Sequence, residues 1–304
     1  MEIEEKENGL PFHHVVIAGA NGTMGSGIGQ CALQFGYKIT LLVRTQEKAI
    51  QARRMVEQFA QKKAKKLFAD DQVKAQNWLN ERLAKLHTST DLRSAVASAD
   101  LFIEAIVEDK TTKQDLLVEV ENSARPGMVL ATNTSSLKLS DVGAKLNNPQ
   151  YLGGLHFLSP VAATKLVEVV KADFTLPSVS NRLQCFAESL GKTTILCKDS
   201  PGFVFNRLML PLLNMAHCLV DEKVCSCEDI DVATKVGMNL PMGILSLSDL
   251  IGLDTIANAT KEAQSYGVME LKTSHTLNSL VANNCLGRKT GKGFFDYNTK
   301  DTNN

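Results

Sequence analysis

The sequence predicts an α/β domain with a mostly parallel sheet and a helical-hairpin insertion, followed by an all-α domain. Three observations carry this. A strand, a glycine-rich turn, a helix and a second strand succeed one another within residues 13–43. Short apolar runs ending in polar residues then recur as far as residue 199. Beyond the breaker cluster "DSPGF" (Asp199 to Phe203), the apolar residues recur at three- and four-residue steps, as in helices. The predicted domains are therefore 1–198 and 199–304. A chain of 304 residues is too long for one small core, which agrees with two domains.

The elements follow in order. "HHVVIAGA" (His13 to Ala20) is a β-branched run leading into glycines. "GSGIGQCALQFG" reads as a helix with Ile28, Cys31, Ala32 and Phe35 on one face. "YKITLLV" (Tyr37 to Val43) is a second buried strand, so the unit is βαβ and its strands are parallel. The charged stretch from Thr45 to Leu86 has helical apolar steps and predicts a helical hairpin. "DLFIEAIVE" and "MVLATNTSS" are further strands, as are "YLGGLHF", "KLVEVVK" and "KTTILCKD". After residue 199, "VFNRLMLPLLNMAHCLVDE", "CEDIDVATKVG", "LSLSDLIGLDTIANATKEAQ" and "SHTLNSLVANN" are all helical in pattern.

Composition narrows the function. Thirty-three basic residues balance thirty-three acidic ones, so no net field draws the chain to nucleic acid or anionic lipid. No run reaches the roughly eighteen consecutive apolar residues of a membrane span. The acidic start "MEIEEKENGL" has no apolar core of the kind a secretory signal carries, nor the basic amphipathic pattern of a transit peptide. Seven scattered cysteines suit a reducing compartment, and a cytoplasmic location is expected. Cys225 and Cys227 form a C-x-C with no second pair at a zinc-like spacing, so no metal site is expected.

Chemistry concentrates at the strand ends. Gly19, Gly22 and Gly25 lie between strand and helix, where glycine lets backbone N–H groups approach a pyrophosphate. That is the setting of a Rossmann-type dinucleotide site, although the spacing is one residue longer than the usual G-x-G-x-x-G; a purely structural turn is the competing reading. The acid that commonly ends the second strand and holds the ribose of NAD is missing. Arg44 stands at that place, either as a solvated side chain or as a partner for the 2′-phosphate of NADP. Glu108, Asn133, Ser135, Ser136 and His156 fall at predicted carboxyl ends of strands, where open parallel sheets bind ligands. His156 and Glu168 are lone polar residues inside apolar runs, and a hairpin of those runs would make them face each other. The pair reads as an acid/base dyad or as a structural buried pair.

Five segments then carry a resemblance: "NTSSLKLSDV", "GGLHFLSPVAATKLVEVV", "CKDSPGFVFNRLMLPLLNMA", "VGMNLPMGILSLSDLIGLDT" and "GRKTGKGFFDY". In this order, from about residue 14 to 297, the chain resembles the 3-hydroxyacyl-CoA dehydrogenases, in particular the short stand-alone, 3-hydroxybutyryl-CoA dehydrogenase-like type. The resemblance implies hydride exchange between a (3S)-3-hydroxyacyl-CoA or 3-oxoacyl-CoA and a nicotinamide cofactor, NAD by family expectation. It implies that His156 and Glu168 are the dyad, and that Ser135 and Asn206 bind substrate oxygens. It further assigns Glu108, Lys113 and Asn133 to the cofactor and Lys66, on the hairpin, to the CoA phosphates. A homodimer through the C-terminal domain is also implied. Two positions depart from the family pattern: Ser159 in "HFLSP", where asparagine is common, and Ser246 in "PMGILSL", where an acid is common. The alternatives to this reading are a related dehydrogenase of sugar acids or other small 3-hydroxy acids, and a non-catalytic nucleotide-binding protein on the same scaffold.

Overall fold

The computed structural model describes residues 10–267 and 270–298. The chain divides into two compact units, Met1–Phe203 and Val204–Asn304. The first is built on one eight-stranded sheet with spatial order β3-β2-β1-β4-β5-β6-β7-β8. Its strands are β1 (His14–Ala18), β2 (Lys38–Leu42), β3 (Leu86–Ser89), β4 (Leu101–Glu104), β5 (Val129–Thr132), β6 (Leu152–Phe157), β7 (Leu166–Lys171) and β8 (Thr193–Lys198). Every neighbouring pair is parallel except β6–β7, which is antiparallel. β1, β4, β5 and β6 are buried along their whole length, as expected of strands covered on both faces.

Helix α1 (Thr23–Gln34) follows the glycine turn, and α2 (Gln46–Leu67) with α3 (Gln72–Ala84) forms the hairpin. Thr45 and Asp71 cap these two helices, their side chains accepting from the N–H groups of Lys48 and Lys74. Each such cap contributes about 1 kcal/mol. The buried stripe of α2 is nearly all alanine (Ala49, Ala52, Ala60 and Ala64, with Val56), small enough for the helix to lie close. That stripe and Trp78 of α3 belong to the same hydrophobic cluster as Val15, Ile17, Ile39 and Leu41, so the hairpin is an extension of the core.

Five elements went unread in the sequence, one strand and four helices. β3 occupies Leu86–Ser89, directly after the predicted hairpin. A helix also intervenes between β7 and β8. After α4 (Leu92–Val96), α5 (Lys110–Ser123) and α6 (Leu139–Val142) it is α7 (Pro177–Ser189). Val179, Leu183, Phe186 and Ala187 give α7 a helical apolar face, and Phe186 meets the rings of Phe12 and Tyr37 edge-on.

"DSPGF" stays with the sheet unit. The Asp199 carboxylate accepts from the N–H groups of Leu139 and Ser140, and Phe203 packs with Leu139, Val170 and Ala172. The second unit holds α8 (Phe205–Asp221), α9 (Cys227–Val232), α10 (Ile244–Ile251), α11 (Leu253–Ser265) and α12 (His275–Ala282) around a core that includes Leu213, Ile244, Leu245, Leu253 and Ile256. No helix among the described residues is long and apolar enough to cross a membrane.

Candidate active site

The antiparallel β6–β7 register sets His156 directly opposite Glu168. Opposed residues point to the same face of a sheet, so the two side chains meet. His156 Nδ1 and Glu168 Oε2 are 2.6 Å apart. Both residues are buried, with 4% and 0% of their surfaces exposed, so neither charge is well compensated by water. An ionised carboxylate only accepts, so Nδ1 is the donor in this contact. Nε2 has no hydrogen-bond partner among the described residues. The Phe203 ring centre lies 5.6 Å from the His156 ring centre and walls one side.

Asn133 braces the strand end that bears this histidine. Its Oδ1 accepts from the Phe157 N–H at 3.0 Å, and its own N–H donates to the Glu104 carbonyl at 2.8 Å. Beside it lies a second charged group. Lys113, wholly buried, donates from Nζ to Glu104 Oε1 at 2.6 Å and to Glu108 Oε2 at 3.0 Å. Glu108 Oε1 accepts from the Ser135 N–H at 3.1 Å, from the Ser136 hydroxyl at 2.9 Å and from the Thr134 hydroxyl. Burial by itself would raise the Glu108 carboxyl. The Lys113 ammonium and the hydroxyls more than offset this and hold it below the ordinary glutamate range. Removing one member of such a buried set leaves an uncompensated charge, at a cost of about 3–5 kcal/mol.

The glycine turn fits a nucleotide. Gly19 has φ +76°, and a Cβ there would sit 2.3 Å from the Ala105 carbonyl oxygen. A Cβ at Gly25 would sit 2.5 Å from the Gly19 carbonyl oxygen. The backbone thus closes as tightly as only glycine allows. Gly22 is the N-cap of α1 and provides no capping side chain, which leaves first-turn N–H groups for an anion.

The structure therefore gathers Glu108, Lys113, Asn133 and Ser135 around the carboxyl ends of β4 and β5, and the Asn133–Phe157 bond links them to the His156–Glu168 pair on β6 and β7. Arg44 and Lys66, on the same unit, lie outside this network. Arg44 is exposed just past β2, with no hydrogen-bond or ion-pair partner among the described residues. Lys66 is exposed in the last turn of α2. Asn206 is in the first turn of α8, in the second unit. Ser159 is exposed, and Ser246 serves structurally through its N–H, which donates to Asp231. Sequence reasoning missed Glu104. Its signal was the same as that of Glu168: a single acid inside an apolar run, here "LFIEAIV".

A glycine turn leading into an uncapped helix on a parallel sheet, with a buried imidazole–carboxylate pair at the strand ends, defines a nucleotide-dependent oxidoreductase class. Comparison with known proteins narrows the class. The family profile "3-hydroxyacyl-CoA dehydrogenase, NAD binding domain" matches residues 14–200, and "3-hydroxyacyl-CoA dehydrogenase, C-terminal domain" matches 202–297. A probable 3-hydroxyacyl-CoA dehydrogenase of Caenorhabditis elegans is 40% identical over 288 residues, covering 94% of this chain and 93% of its own. The human mitochondrial hydroxyacyl-coenzyme A dehydrogenase is 38% identical over 287 residues, 93% of this chain and 91% of its own. The crystal structure of (S)-3-hydroxybutyryl-CoA dehydrogenase from Ralstonia eutropha superposes with a TM-score of 0.85 at 29% identity, covering 94% and 99% of the two chains. The chain belongs to the 3-hydroxyacyl-CoA dehydrogenase family.

Proposed function

We propose that this chain interconverts (3S)-3-hydroxyacyl-CoA and 3-oxoacyl-CoA, with His156 and Glu168 as the acid/base pair. The observation that carries the reading is the 2.6 Å contact that fixes the ring through Nδ1, with Nε2 unpartnered among the described residues. In the oxidative direction Nε2 takes the proton of the 3-hydroxyl, and in the reductive direction it returns one. Glu168 fixes the ring's orientation and balances the charge that the ring gains. A base placed in this way contributes about two to four powers of ten in rate. Ser135 and Asn206 donate hydrogen bonds to substrate oxygens and fix the reacting carbon. Lys66 takes a CoA phosphate.

The nicotinamide cofactor, when bound, supplies the hydride acceptor or donor. Gly19, Gly22 and Gly25 would hold its pyrophosphate, and Glu108, Lys113 and Asn133 its nicotinamide side. NAD is the family's usual cofactor, and NADP is admitted here by Arg44: an unpaired guanidinium suits a 2′-phosphate where a carboxylate would repel it. We propose further that the protein is a homodimer through its second unit. Leu208 and Met215, seven residues apart on one face of α8, are 70% and 55% exposed. Twice the chain mass in sedimentation is the expected result. Seven cysteines without a disulfide suit a reducing compartment such as the cytoplasm.

Reduction of acetoacetyl-CoA, run side by side with NADH and NADPH, tests the function. Turnover is expected with at least one of them, and free acetoacetate should be a far poorer substrate. Arg44→Asp should move the preference at least about tenfold toward NADH, the size of a lost charge-assisted contact. Nucleotide binding without turnover on the CoA thioester would contradict the reading.

A further inference from the structure

We infer that Glu104, outside the reacting groups, is a positioning residue that sets the cofactor-facing loops on both sides of β4. The inference rests on the dehydrogenase reading above. Glu104 ends β4 and is fully buried. Its two carboxylate oxygens serve different segments. Oε1 accepts from Lys113 Nζ at 2.6 Å and from the Ile106 N–H at 2.8 Å, and Oε2 accepts from the Thr132 hydroxyl at 2.7 Å.

These bonds close a ring. One arm runs from Glu104 through Lys113 to Glu108, whose Oε1 accepts from the Thr134 hydroxyl and the Ser135 N–H. The other runs through the Thr132 hydroxyl, whose oxygen accepts from the Thr134 N–H at 3.2 Å. Both arms end on Thr134, the residue before Ser135. A loop held at one point by two independent chains of hydrogen bonds cannot turn without breaking one of them. The third contact, to Ile106 N–H, reaches the opposite rim. Residues 105 and 106 are those against which the Gly19 turn is pressed, since a Cβ at Gly19 would lie 2.3 Å from the Ala105 oxygen and 3.0 Å from the Ile106 nitrogen. One carboxylate thus spaces the glycine turn, the Lys113–Glu108 pair and the Ser135 loop. Lys113 is also kept off Glu108 alone, because its ammonium is shared between two acids.

Two variants test this. Glu104→Gln keeps the shape and removes the charge that holds Lys113. Thr132→Val keeps the shape, leaves every charge in place and cuts the other arm. NADH and NADPH are titrated by fluorescence without substrate, and acetoacetyl-CoA reduction is measured separately. Glu104→Gln is expected to raise the nucleotide Kd at least about tenfold, the size of coupling within one hydrogen-bond network. Thr132→Val should shift it the same way by less. If Glu104 only supports the fold, thermal unfolding shifts while nucleotide Kd and KM stay at wild-type values, and the assignment is overturned. Should Glu104→Gln not fold, Thr132→Val decides by the same criterion. Wild-type protein that fails to bind nucleotide or turn over acetoacetyl-CoA overturns the dehydrogenase reading itself, a result distinct from a null effect in the variants.

Discussion

His156 in the sheet unit and His217 in the helical unit are both buried, yet their partners differ. His156 meets a carboxylate at Nδ1, and its Nε2 has no partner among the described residues. His217 is wholly buried, stacks on Phe294 at 5.0 Å and 13°, and among the described residues hydrogen-bonds only to the Ser248 hydroxyl, Nε2 to Oγ at 3.0 Å. Ser248 donates its one proton to the Ile244 carbonyl, so the histidine is the donor and its Nδ1 is left bare and sealed. Burial pushes His217 down to about 4, against a smaller upward pull from Asp221. Desolvation thus outweighs Asp221 and keeps the His217 ring neutral above about pH 4. His156, by contrast, has a carboxylate in direct contact at Nδ1. Burial alone therefore says little about what a histidine does, and the partner atom decides.

The largest expected consequence is in turnover. His156→Gln should lower kcat for acetoacetyl-CoA reduction by about two to four powers of ten while nucleotide still binds. The matching change in the second unit, His217→Gln, should leave kcat within about twofold, and a large loss there would erase the contrast. A smaller effect distinguishes the pair by stability. The folded-state value of His217 lies below its unfolded value of 6.5, so the unfolded chain binds the extra proton. Stability of the second unit should therefore fall as pH drops from about 6.5 to about 4 and level off below that, by up to roughly 3 kcal/mol. Chemical denaturation at a series of pH values reads this directly, and His217→Gln should flatten the fall.

One side of this contrast, the His156–Glu168 pair, was legible in the sequence, and the reason is local. His156 and Glu168 lie on consecutive strands joined by a short connection, so an apolar run around each was enough to propose that they face each other. The glycine turn was legible because strand, turn and helix are contiguous. Arg44 was legible as an absent acid. Glu104 was not, because its partners come from β5 and α5, and Thr132 is 28 residues away. Their meeting depends on strand order, which no local pattern encodes. Helix α7 did have a readable apolar face, at Val179, Leu183 and Phe186, but it sits between two strong strand signals. His217 looked like any polar residue in an amphipathic helix, and its isolation follows only from the packing of Phe294 and Ser248.

The proposal stands on Glu168 acting through the His156 ring rather than beside it. A double-mutant cycle in kcat measures this most directly, comparing His156→Gln, Glu168→Gln and the two together. Residues that work as one unit are strongly non-additive. The double variant is expected to turn over at the rate of His156→Gln alone, the second change costing nothing further. A double variant whose loss equals the product of the two single losses would show two independent contributions and contradict the account.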